Sequence, residues 1–328
     1  MGPDYDQRQT TLLISRAAGN FGNQLLVFGH LIALAEEHTE FRLLNYSFWR
    51  YADHCRGTEH NPLCRYPFRE GDPHSKLEVA PRMLARIKKV SPNLVVRGTR
   101  QYAPRALQAV WPGRKVQWYR DEPLAIGDEA FLSTVRGRRM VLMSGWMLRD
   151  WALFEKHEEA MRSFFAPPEK HQRVADEYMK DLRQRYDPLI GLVMRQGDYR
   201  VWREGEFYIE SARYRTFAEQ LRERFGPKTG FVVACDEKQD QNLYAGLNAH
   251  WCTGVKAGSG HYLETFAELA KCDAVVSVPS TFSAWAAFMG RASLIPIASA
   301  TDDLSKAPVL ARHLHDAWRD PTFRLAVN

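Results

Sequence analysis

No apolar run in this sequence approaches the ~20 residues that a bilayer-spanning helix needs. Cysteine is scarce, five in 328 residues, and no C-x-x-C occurs. Cys55, Cys64, Cys235, Cys252 and Cys272 form an odd set, which argues against a disulfide framework and for a reducing, cytoplasmic setting. The opening stretch Met1 to Thr10 is polar, so no secretory leader is expected. Internal repeats and low-complexity tracts are lacking too. So is any basic motif interleaved with aromatics, which leaves nucleic-acid binding resting on net charge alone.

What is present is an ordinary soluble composition, 45% apolar and 26% charged, with a formal net charge of +6. That balance favours anionic ligands such as nucleotide sugars, nucleic acid or acidic membrane surfaces, without choosing among them. A chain of 328 residues is long for one core and comfortable for two domains.

The N-terminal half opens with an apolar strand at Leu12-Leu13-Ile14. A glycine-rich turn follows, then a helix from about Asn23 to Glu37. That helix carries Leu25, Leu26, Phe28, Leu31, Ile32 and Leu34 on more than one face, so burial is expected. From Tyr46 to Arg139 the pattern is irregular. Met140 to Met143 reads as a strand, and Phe154, His157 and Met161 mark a helix after it. Ala166-Pro167-Pro168 breaks the chain and divides it into 1–166 and 167–328.

Beyond that break the order is regular. Val174, Tyr178 and Leu182 mark a helix, Leu189 to Met194 a buried strand, and Tyr214, Phe217, Leu221 and Phe225 a second helix. Strands at Phe231–Ala234, Ala274–Val278 and Leu294–Ile297 alternate with helices at Tyr262–Lys271 and Ser283–Met289. Such alternation gives an α/β fold with a parallel sheet covered on both sides, and ligands lie at the carboxyl ends of its strands.

Three segments follow apolar strands at such ends. In Gly19-Asn20-Phe21-Gly22-Asn23-Gln24, two glycines let the backbone approach a ligand, and Asn23 and Gln24 offer amides at a helix N-terminus. A plain helix cap explains the same residues. In Val193-Met194-Arg195-Gln196-Gly197-Asp198-Tyr199, Arg195 can grip a phosphate through paired, charge-assisted contacts, or simply pair with Asp198. In Pro279-Ser280-Thr281-Phe282-Ser283, hydroxyls at a helix N-terminus can cap it or bind phosphate, and Phe282 can fill the core or pack under a base. Two weaker groups remain. His54, Cys55, His60 and Cys64 fit no common zinc spacing. Arg82, Arg86, Lys88 and Lys89 around Met83, Leu84 and Ile87 form a solvated helix face or one that touches anionic membrane from the cytoplasmic side.

The ordered set of segments resembles the inverting fucosyltransferase superfamily, which holds the α-1,2-, α-1,6- and protein O-fucosyltransferases. The α-1,2 group matches best. Its motifs read G-G-L-G-N-Q, H-x-R-R-G-D-Y and S-x-S-T-F-S-W-W. Ser144-Gly145-Trp146 resembles its G-Y-W segment, and Ala234-Cys235-Asp236-Glu237 its strand ending in S-D-D. The likeness spans about Leu12 to Ile297. It departs at Val193, where the motif has histidine, at Gln196, where it has a second arginine, and at Ala284, where it has tryptophan.

The resemblance implies the GT-B architecture, two Rossmann-like domains facing a central cleft. Residues 1–166 would take the acceptor, with the irregular Tyr46–Arg139 region as its site, and residues 167–328 the donor. It implies a glycosyltransferase that moves fucose from GDP-fucose to a glycan hydroxyl by one inverting displacement, with neither metal nor cofactor. Arg195 would neutralise the β-phosphate, helped by Gly22 and Asn23 from across the cleft. Ser280, Thr281, Phe282 and Ser283 would hold the nucleotide, and Asp236 the guanine or ribose. Asp198 would orient Arg195. The α-1,6 enzymes carry a glutamate shortly after the motif aspartate, so Glu204 ranks first as base, then Glu206, with Asp198 third. Another nucleotide sugar, or nucleotide binding without transfer, are the alternatives. Acceptor identity, linkage and oligomeric state are left open.

Overall fold

A computed structural model describes residues 10–16, 19–61, 63–68, 116–119, 124–138, 140–145 and 148–309. The chain divides into two compact units, Met1–Ala166 and Pro167–Asn328. The basic segment around Arg82, Arg86, Lys88 and Lys89 lies outside the described residues, as does Trp146 of the Ser144-Gly145-Trp146 segment.

In the first unit, β1 (Thr10–Arg16) leads through the glycine turn into α1 (Phe21–Glu37), then β2 (Phe41–Asn45) and β3 (Arg65–Tyr66). β4 (Val116–Tyr119), β5 (Leu124–Ala125), α2 (Glu129–Val135), β6 (Met140–Ser144) and β7 (Leu148–Arg149) follow. The main sheet has the order β3-β2-β1-β6-β4, parallel except for β3. β1 is central, and chain order reverses direction there, with β2 on one side and β6 on the other. α1 is buried nearly all round, as its apolar residues on several faces require. One helix was expected around Phe154 and Met161, and two form instead: α3 (Trp151–Lys156) and α4 (Glu158–Phe165). His157 ends the first with φ −113° and ψ 25°, and its Nε2 lies 2.8 Å from Glu37 Oε2. A 3-10 segment spans Tyr46–His54, where the sequence is irregular.

The second unit begins with α5 (Glu169–Arg185), then β8 (Leu189–Met194), α6 (Ser211–Phe225), β9 (Gly230–Cys235) and β10 (Ala249–Trp251). α7 (Tyr262–Ala270), β11 (Ala274–Ser277), α8 (Thr281–Gly290) and β12 (Ser293–Pro296) complete it. Its sheet runs β10-β9-β8-β11-β12, all parallel. Numbered within the unit that is 3-2-1-4-5, the doubly wound order whose switch point falls between β8 and β11. Every residue of β8 is buried, as a central strand covered on both faces must be. Gly191 in its middle lets α7 come close, since a Cβ there would meet Leu269 Cδ2 at 2.7 Å. α8 is anchored by Trp285 and Phe288, each burial contributing about 2–3 kcal/mol. Gly290 is equally obligatory, because a Cβ would stand 1.5 Å from the Ala270 carbonyl oxygen. On α5 the buried face is Ala175, Met179 and Leu182, whereas Val174 points outward at 38% exposure. The four-residue spacing thus found the helix but placed Val174 on the wrong side of its apolar stripe.

Candidate active site

The switch point of the second unit brings two of the three sequence segments together. β8 ends at Met194 and hands the chain to Arg195, while β11 ends at Ser277 and leads into α8. The last ladder pair of β8 and β11 is Val193 with Ser277, so both segments emerge side by side at one sheet edge.

Arg195 is held from three directions. Its Nη2 donates to Asp198 Oδ1 at 2.6 Å, its Nη1 pairs with Asp236 Oδ2 at 3.0 Å, and its guanidinium lies 4.9 Å from the centre of the Tyr199 ring. It keeps 27% of its side-chain surface exposed, and its buried Nε has no hydrogen-bond partner among the described residues. The two carboxylates differ: Asp236 is 22% exposed and Asp198 64%. Asp236 follows β9, and its Oδ1 accepts from the backbone N–H of Gln196 at 2.8 Å and of Gly197 at 3.3 Å. It therefore shapes the turn that carries Arg195 as well as pairing with it. The site as it stands has two carboxylates on one guanidinium, so it is short of positive charge.

Gln196 stands where the resembling family has its second arginine. Here it is 2% exposed. Its Nε2 donates to Ile209 O at 2.7 Å and Ser211 Oγ at 3.3 Å, and its Oε1 accepts from Gln239 Nε2 at 2.8 Å. A buried amide with all these partners is a structural tie rather than a ligand group. Val193 likewise sits inside the sheet.

On the other side of the switch point, Ser280 stands at the start of α8 but makes no side-chain cap. Its helix also carries no acidic residue of its own in the first turn, where the N-terminal dipole favours an anion. Ser283 is fully buried; its hydroxyl contacts Ser277 Oγ at 2.7 Å and donates to Ser280 O at 3.2 Å. What Ser283 can offer a ligand is its backbone N–H, not its hydroxyl. Phe282 is half-buried and packs on Phe266 and Tyr262 of α7, with ring centres 5.4 Å and 6.3 Å away.

The loop after Tyr199 is braced at its base. Arg200 donates to Tyr208 Oη and to Glu237 Oε2, both at 2.6 Å, and the Glu237 carboxylate raises the arginine's pKa. At the tip, Arg203, Glu204 and Gly205 take φ of 50°, 58° and 82°, three left-handed residues in a row. Two of them are not glycine, which costs about 1 kcal/mol or more each. Glu206 pairs with Arg203 at 3.5 Å. The Glu204 carboxylate is exposed and has no ion pair or hydrogen bond among the described residues.

In the first unit the Gly19 turn occupies the matching position, between β1 and α1. Gly19 has φ +76°, and the Asn23 amide lies against it so closely that a Cβ would sit 2.0 Å from Asn23 Nδ2. Gly22 is buried in the first turn. Asn20 begins α1 without a side-chain cap. Gln24, expected to present a donor, is buried, with its Nε2 directed at Gly19 O (3.5 Å) and its Oε1 accepting from Ser47 Oγ at 3.3 Å. Arg50 was not singled out from the sequence. It is exposed, donates to Gly19 O at 2.8 Å and stacks on Tyr51. No local pattern marks it, since it reaches the turn from 31 residues away. Cys55 and Cys64 are buried thiols whose pKa values burial pushes up, and no group of three or more His, Cys, Asp or Glu able to hold a metal occurs among the described residues. None of the described helices is long and apolar enough to cross a membrane.

No protein-family model matches the chain, and no curated protein matches it in sequence. Solved structures do match. A point mutant of Arabidopsis thaliana FUT1 in complex with GDP superposes with a TM-score of 0.53 at 13% identity, covering 94% of this chain and 75% of that one. The fucosyltransferase NodZ from Bradyrhizobium gives 0.50 at 12% identity, covering 94% and 100%. The NodZ α-1,6-fucosyltransferase co-crystallised with GDP gives 0.50 at 12%, covering 93% and 99%. The shared property is the fold: two Rossmann-like α/β units in the GT-B class.

Proposed function

We propose that this chain is a member of the inverting fucosyltransferase superfamily and transfers fucose from GDP-fucose to a hydroxyl of a glycan acceptor. The observation that carries this reading is Arg195 at the β8–β11 switch point, exposed on one side and beside a helix N-terminus that has no side-chain cap. A departing nucleoside diphosphate needs its developing charge met at that position. Arg195 meets it as a guanidinium, and the first N–H groups of α8, from Thr281 to Ser283, meet it as a helix dipole. Together they supply the charge that a metal ion would otherwise bring, so the reaction proceeds without one.

In this reading Asp198 is a stand-in anion. It pairs with Arg195 and yields to the donor phosphate, because it is the more exposed of the two carboxylates. Asp236 stays in place and fixes the turn. Phe282 and Ser280 border the nucleotide. Glu204 acts as the base that accepts the acceptor hydroxyl's proton. Its carboxylate has no ion pair among the described residues, whereas Glu206 and Asp198 are both held by arginines. The left-handed run at 203–205 keeps it at the loop tip. The acceptor binds the first unit, with an α-1,2-type linkage.

The partners are thus a nucleotide-sugar donor and a glycan. A second reading, the same fold with a different nucleotide sugar, is favoured by Val193, buried in the sheet, and by Gln196, buried in the turn after it with its amide bonded to Ile209, Ser211 and Gln239. Binding of GDP-fucose measured beside other GDP- and UDP-sugars, followed by turnover with a glycan panel, tests both. Preference for GDP-fucose with fucosyl transfer is the expected result. Tighter binding of a UDP-sugar would move the assignment to the second reading, and donor binding without transfer to any glycan would remove the enzyme.

A further inference from the structure

The ladder between β8 and β11 ends at Val193 and Ser277, and the two segments that meet at the switch point run on beyond it. Something must hold them in register beyond that point if they are to grip one diphosphate. Tyr199 contacts both. Its ring lies under the Arg195 guanidinium at 4.9 Å, and its hydroxyl donates to the Pro279 carbonyl, two residues before α8 begins. The side chain is buried and packs on Trp202, with ring centres 4.9 Å apart. Burial pushes the phenol's pKa up to about 12, so it remains a donor at any physiological pH.

We infer that Tyr199 is a positioning residue that couples Arg195 to the N-terminus of α8, so that the two phosphate-binding groups act as one. The inference rests on the proposed donor site. It asks for more than packing from Tyr199: the ring sets the plane of the guanidinium, and the hydroxyl sets the distance of the helix N-terminus from it. Losing the hydroxyl alone should therefore weaken contacts to the second phosphate more than contacts to the nucleoside.

The test uses the full chain and three probes, GDP, GMP and guanosine, with wild type, Tyr199→Phe, Tyr199→Leu and Arg195→Ala. Tyr199→Phe keeps the ring and removes the bond to Pro279. It should bind GDP about fivefold more weakly and GMP nearly as wild type does. Tyr199→Leu, which also removes the ring, should lose more of the GDP preference and approach Arg195→Ala. Fucosyl transfer should follow, with a fall in kcat larger than the rise in KM. Equal weakening of all three probes would make Tyr199 a packing residue and overturn the inference. So would wild-type GDP affinity in Tyr199→Phe, provided Arg195→Ala has lost it. Failure of the wild-type protein to prefer GDP over guanosine would instead overturn the donor site, and this inference with it.

Discussion

The turn after β1 and the turn after β8 occupy the same place in two sheets of similar strand order, yet they are built from opposite materials. The first is glycine and amide: Gly19 in a left-handed conformation, the Asn23 amide lying on it, and Arg50 reaching in to its carbonyl. The second is charge: Arg195 caught between Asp198 and Asp236 over the Tyr199 ring. One offers close backbone approach and the other offers a cation. Topology fixes where a ligand can sit, and a few side chains decide what it must be.

The comparison breaks most sharply at Arg195. Arg195→Ala should reduce GDP binding and turnover by about a hundredfold or more, with a melting temperature within a few degrees of wild type. Isothermal titration and thermal melts read the two effects separately. In the first turn Gly19→Ala should cost about tenfold in turnover, because the new Cβ displaces the Asn23 amide and strains a residue at φ +76°. An equal effect of both variants would mean that the turns are not chemically distinct.

Gln196→Ala sharpens the contrast from inside. It strands the Ile209 carbonyl and takes one partner from the Gln239 amide, and should cost about 2 kcal/mol in stability while GDP affinity shifts by less than about threefold. Denaturant unfolding beside GDP titration would show it. Asp198→Asn removes the competing anion, so GDP should bind about threefold tighter in that variant.

The smallest effect is in the pH dependence, where the units again differ. Glu37 in the first unit has its pKa lowered from 4.5 to about 2, chiefly by its hydrogen bonds to Lys156 and His157. Its contribution to stability is present above pH 4.5 and is lost as pH falls through about 2. Glu268 in the second unit is raised above 4.5 by burial, against hydrogen bonds from Thr253 that pull the other way. Between pH 4.5 and the folded value, the folded form holds a proton that the unfolded form releases. Its contribution is therefore full below pH 4.5 and is lost as pH rises through the folded value. Melting curves of Glu37→Gln and Glu268→Gln across pH should flatten in opposite directions.

Most of the second unit was legible in the sequence, because β8, β9 and β11 are continuous apolar runs and α6 and α7 repeat at helical spacing. β10 was not, since Ala249-His250-Trp251 is three half-buried residues at a sheet edge. β2 was missed although its burial alternates cleanly, because it is short and runs into the irregular 3-10 segment. Arg195 and its pairing with Asp198 could be read from local spacing. The inward turn of Gln196, the double use of Asp236 and the bond from Tyr199 to Pro279 could not, because their partners lie 13, 40 and 80 residues away. A motif shows which residue types are at hand, and long-range hydrogen bonds decide which of them face the ligand.

The most direct test of the central claim is a crystal structure of the protein with GDP. The diphosphate should lie at hydrogen-bond distance, about 3 Å, from the Arg195 guanidinium and the first N–H groups of α8, with Asp198 turned away. A diphosphate bound elsewhere, with Arg195 still paired to both Asp198 and Asp236, would contradict it.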